Sequence, residues 1–143
     1  MPRCIELPQL LDQHFNPHVV LPYGLKVDEV RKAMEEVYQT FYTINGVLFP
    51  KSSKRLEDIV LGNTLSGMIS EFLVKAISDS STTLVRNEKV GGHPDLLTME
   101  HYTTKSVQHG AEGIEVKSSI QNGGRQDEPL LMHVPCGELL IRK

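Results

Sequence analysis

At 143 residues the chain is one domain long, enough to bury a core without help from disulfides. Its 39% apolar and 23% charged residues are ordinary for a globular protein, and with no Trp the core must be filled by Leu, Val and Ile. The net charge of −3 argues against a general nucleic-acid coating protein, though it leaves room for an enzyme whose acidic site holds cations and whose DNA contacts are local.

Taken in chain order, residues 1–26 are broken up by Pro2, Pro8, Pro17, Pro22 and Gly24, which predict a short helical piece near Leu7–Phe15 and an extended stretch at His18–Leu21. Val30, Ala33, Met34, Val37, Phe41 and Ile44 recur at three- and four-residue steps, which predicts a helix over 27–44. Asp28 is the expected N-cap and Asn45-Gly46 the expected stop. After the basic linker 50–55, a second apolar stripe from Leu56 to Ile77 predicts a helix over 55–78. Gly62-Asn63 marks either a break in it or a close backbone approach. The remainder reads as sheet, with strands over Thr82–Arg86, Pro94–Glu100 and Gly113–Ser119 and a turn at Gln121–Gly124. Two short apolar runs follow, Pro129–Val134 and Gly137–Ile141. Helices first and strands after them predict α+β organisation around a mixed central sheet flanked by helices.

Cys4 and Cys136 make neither a disulfide framework nor a metal-ligand spacing, so a reduced, cytoplasmic chain is expected. No apolar run approaches the roughly 20 residues of a membrane span, and the N-terminus lacks the apolar core of a signal peptide, so no membrane partner is expected.

The chemistry-bearing residues are His93-Pro94-Asp95 and Gly113-Ile114-Glu115-Val116-Lys117. On a strand, Glu115 and Lys117 share one face, about 6.6–6.8 Å apart, while Ile114 and Val116 face the other. If the strands at 94–99 and 113–119 pair, Asp95 and Glu115 converge. Two carboxylates and a main-chain carbonyl such as that of Val116 form an oxygen donor set for a hard cation, Mg²⁺ with Mn²⁺ as substitute. Lys117 then stands beside the attacking water of a phosphodiester hydrolysis. Taken alone, Glu-X-Lys on a strand is commonly a solvated ion pair and Pro-Asp an ordinary turn dipeptide; it is their order and spacing on an apolar strand pair that carries the signal.

Pro94-Asp95 with Glu115-Val116-Lys117 resembles the two halves of the PD-(D/E)XK nuclease signature. Gly92-His93-Pro94-Asp95-Leu96-Leu97 and Gly113 through Ser119 are similar to type II restriction endonucleases. The resemblance covers about residues 58–124. It implies an extra acidic residue on the preceding helix, here Glu71, and thus a catalytic set of Asp95, Glu115, Lys117 and Glu71. It also implies double-stranded DNA as substrate, a homodimer for cleavage at symmetric sites, and a cognate DNA methyltransferase system. The organisation expected is one nuclease-like domain over 1–143, with a helical region at 1–50, helix plus catalytic hairpin at 55–124, and an atypical tail at 125–143. Arg125 to Pro129 departs from the family pattern, so a divergent, frameshifted or truncated tail and an incomplete sheet are expected.

Weaker candidates remain. Lys51, Lys54 and Arg55 form a small basic patch that could touch DNA phosphates. His93, His101 and His109 recur at eight-residue intervals that fit no usual zinc pattern, which leaves them surface or site-rim roles. No Gly-rich phosphate loop is present, and Ser118 and Ser119 lack an elbow context. The second reading is an inactive or truncated nuclease remnant acting as a non-catalytic nucleic-acid or protein-binding module.

Overall fold

The computed structural model describes residues 7, 9–119, 130–134 and 137–142, the last two stretches as strand backbone. Cys4, Cys136 and the turn expected at Gln121–Gly124 lie outside the described residues. In place of the short helix expected near Leu7–Phe15 the chain makes a 3-10 turn, Asp12–His14, and a second one follows at Pro22–Gly24. A segment this short, hemmed in by prolines, cannot offset the cost of helix nucleation. Arg31 anchors it instead, bonding Asp12 at 2.6 Å and lying 4.5 Å above the Phe15 ring.

Helix α1 spans Val27–Ser52 and buries Val30, Ala33, Met34, Val37 and Phe41, the stripe read from the sequence. It starts at residue 27 as expected, but Asp28 is not its cap. Lys26 occupies the cap position and its N–H donates to the Glu29 carboxylate at 2.8 Å, while Asp28 sits inside the first turn, where its charge favours the helix N-terminus. Its end is eight residues later than Ile44. Asn45 does not stop the helix because its side chain is committed elsewhere: it is buried, accepts the Leu56 N–H at 2.9 Å and donates to Glu57 at 2.8 Å. The stop falls to Ser53, in the left-handed region at φ 55°.

The helix expected over 55–78 is two helices, α2 at Leu56–Ile59 and α3 at Gly62–Ser80, separated by extended Val60 and Leu61. The break sits where Gly62-Asn63 lowers helix propensity. Helix α3 buries Leu65, Leu73, Val74, Ala76 and Ile77 and packs against both α1 and the sheet.

The strands are β1 at Leu84–Arg86, β2 at Leu96–Thr98, β3 at Gly113–Ser119, β4 at Leu130–Val134 and β5 at Gly137–Arg142, in the order β1-β2-β3-β5-β4. Among the described residues every strand pairing is antiparallel, and the one parallel contact is an isolated bridge between His93 and His109. The expectation of a mixed sheet is therefore corrected to an antiparallel one. A parallel pair needs a helix-scale crossover, and among the described residues all the helices precede the strands. The atypical tail adds two strands to the sheet, since β5 pairs with β3 from Glu115↔Arg142 to Ser119↔Glu138 and β4 pairs with β5. The two apolar runs of the tail are of strand length and supply those pairings.

Candidate functional site

Strand β2 pairs with β3 through Leu96↔Ile114 and Leu97↔Gly113. One step further along this register, Asp95 lies across from Glu115. Residues directly opposite in an antiparallel pair project to the same face, about 4.5–5.5 Å apart. Leu96, Ile114 and Val116 are buried on the core face. That face meets α3, where the Ser118 hydroxyl donates to the Ser66 carbonyl at 2.7 Å. Glu115 and Lys117 project from the opposite face with 23% and 56% of their side chains exposed.

Close packing enforces this register. A Cβ on Gly113 would lie 2.1 Å from Pro94 Cγ and 2.3 Å from the Leu96 carbonyl oxygen, so the strand can approach β2 only with glycine there. Gly92 is confined in the same way, its Cβ position lying 2.3 Å from the Val107 carbonyl oxygen.

Asp95 Oδ2 accepts the Val116 N–H at 2.8 Å. On a strand, the N–H and C=O of one residue face the same edge, so the Val116 carbonyl is directed to the side of Asp95. Glu115 is held from both ends: Oε1 lies 2.9 Å from His93 Nδ1 and Oε2 lies 3.6 Å from Lys117 Nζ. The two carboxyl groups perturb each other. Burial pushes Asp95 above the usual carboxylate range, and the Glu115 charge adds to this against the pull of the Val116 N–H and Lys117. Burial works upward on Glu115 as well, but His93, Asp95 and Lys117 outweigh it and hold Glu115 below its ordinary value.

Asn87 fixes the loops around the pair. It is buried, and its amide donates to the carbonyls of Pro94 at 2.9 Å and Val107 at 2.8 Å. Its Oδ1 accepts the N–H groups of Lys89 and Val107, each at 3.1 Å. Its own N–H donates to the Asp95 carbonyl at 2.8 Å. Lys89, Pro94 and Val107 therefore meet on one side chain.

The structure thus gathers Asp95, Glu115, Lys117 and the Val116 main chain. Glu71, on α3, lines the same cleft as Asp95 and His93, and its carboxylate is bound to Arg86 of β1 at 2.5 Å. Lys51 and Lys54 are exposed at the end of α1 and in the linker, and Arg55 precedes α2. None of the three lines the cleft of about 650 Å³ that opens onto Asp95 and His93. The histidines do not cluster, since His101 Nδ1 bonds Thr98 at 2.8 Å and His109 meets His93 only through backbone. Asn87 carried no sequence signal, because its partners lie up to twenty residues away; His93 was legible only as a rim residue.

The donor set fits a hard cation held by oxygen. Asp95, Glu115 and the Val116 carbonyl are the ligands available, and a positive charge beside Asp95 would offset the burial that raises it. Among the described residues no group of three or more His, Cys, Asp or Glu side chains is arranged to hold a metal, so waters and substrate oxygens would complete the shell, as Mg²⁺ prefers. Among the described residues no helix is long and apolar enough to cross a membrane. The chain matches no protein-family model, no curated protein and no solved structure.

Proposed function

We propose that the chain is a Mg²⁺-dependent DNA endonuclease of the restriction type, a member of the PD-(D/E)XK superfamily with a restriction-endonuclease-like fold. The observation that carries the reading is the convergence of Asp95 and Glu115 across the β2–β3 register, with Lys117 3.6 Å from Glu115. Asp95, Glu115 and the Val116 carbonyl would hold the ion. When bound, Mg²⁺ supplies charge neutralisation at the scissile phosphate and lowers the pKa of coordinated water.

The chain's own residues do the remainder. The Val116 N–H holds the Asp95 carboxylate through Oδ2. His93 orients Glu115 from the loop before β2. Lys117 places its ammonium where the attacking water and the added negative charge of the pentavalent phosphate would meet it. Cleavage of both strands at a symmetric site calls for two such centres, hence a homodimer on double-stranded DNA.

The test is incubation of supercoiled plasmid with Mg²⁺, Mn²⁺ or EDTA, beside Lys117→Ala. Metal-dependent cleavage that falls by about 10²–10³ in the variant supports the reading. Cleavage unchanged in Lys117→Ala, or none by the folded wild type, overturns it. The Glu71–Arg86 ion pair favours a second reading, a non-catalytic binding module, because the charge of the auxiliary acid is already engaged by Arg86. Mn²⁺ titration separates the two, since only the nuclease reading requires binding that Asp95→Asn abolishes.

A further inference from the structure

We infer that the cleft beside Asp95 is the seat of a nucleic-acid backbone, with Lys89 and Lys105 as its phosphate contacts. This inference rests on the nuclease reading and replaces Lys51, Lys54 and Arg55 as the binding residues. The cleft runs from α3 past β1 to the loop before β2, and Asp95, His93, Lys89 and Lys105 all line it. Two other cations in its wall are already engaged, Arg86 by Glu71 and Lys75 by Asp79. Lys89 and Lys105 make no ion pair among the described residues.

Their backbones are held together. The Glu88 N–H donates to the Lys105 carbonyl at 2.7 Å, and the Lys89 N–H donates to Asn87 Oδ1 at 3.1 Å. Asn87 also fixes Pro94 and, through its own N–H, Asp95. Two lysines with no anionic partner therefore project from the frame that positions Asp95. A single small anion satisfies only one part of this arrangement. A ligand with regularly repeated phosphates satisfies all of it, one phosphate meeting the carboxylate–cation centre while its neighbours meet Lys89 and Lys105.

The experiment is fluorescence anisotropy of a labelled DNA duplex in EDTA over a range of NaCl, comparing wild type with Lys89→Ala/Lys105→Ala and with Lys51→Ala/Lys54→Ala. Both lysines of the first variant are exposed, and its thermal melt should match wild type. The expected result is at least a tenfold loss of affinity at low salt. The slope of log K against log salt should shrink by about 1.8, the effect of two lost phosphate contacts. An unchanged slope, or a loss confined to Lys51→Ala/Lys54→Ala, overturns the inference. Wild type that binds with this slope yet never cleaves leaves the cleft standing and removes the nuclease reading. Cleavage with an unaltered Lys89→Ala/Lys105→Ala variant does the reverse, and no DNA binding by wild type removes both.

Discussion

Asp95 and Glu115 are neighbours with opposite perturbations, and that sets the acid behaviour of the site. Asp95 is raised chiefly by burial, so ionising it costs the folded state. Its stabilising share is whole below the ordinary value of 3.8 and is lost as pH rises through its higher folded value. Glu115 is lowered, so its share is present above the ordinary 4.5 and is lost as pH falls through its folded value. Asp95→Asn should therefore raise Tm at pH 7, with the gain vanishing below pH 3.8, while Glu115→Gln should lower Tm at pH 7, with the loss shrinking below pH 4.5. Thermal melts across pH check both signs. Asn87→Ala removes four side-chain hydrogen bonds and leaves buried carbonyls without donors. Urea unfolding should show a loss of about 2–4 kcal/mol.

At the scale of elements, local rules and long-range commitments divide the outcome. The apolar stripe of α1 and the alternation of β3 are periodic and were readable, as was the possibility that strand pairing would align Asp95 with Glu115. The true length of α1 was not readable. Asn45-Gly46 carries the chemistry of a stop, but the Asn45 side chain is spent on Leu56 and Glu57 eleven and twelve residues on. The same limit hid Asn87, and it hid the pairing of Glu71 with Arg86. Asn45→Ala should cost about 1–3 kcal/mol in urea unfolding by releasing α2 from α1, with Mn²⁺ affinity unchanged. Gly113→Ala should lose that affinity, because a methyl group cannot fit between Pro94 and the Leu96 carbonyl.

For the whole molecule, ligand binding and stability are linked. Mg²⁺ at about 100 times its Kd should stabilise the folded chain by about 2.7 kcal/mol, and the gain should be absent from the Asp95→Asn/Glu115→Gln double variant. Differential scanning fluorimetry with and without metal reads this, and an equal shift in both proteins sinks the proposed ligands.

The Asp95–Val116 bond has a further consequence. Strand β2 extends only to Leu96, so beyond Ile114 no β2 backbone is left to pair with β3 on that side. Asp95 Oδ2 substitutes for the missing carbonyl there. Exposed amides on a bare strand edge are templates for another chain, and natural sheets blunt such edges with charge. Asp95→Ala would uncover this edge as well as remove a ligand, and light scattering should show it self-associating on storage. Asp95→Asn keeps an acceptor oxygen for the Val116 amide, and should be equally poor at holding metal yet stay dispersed.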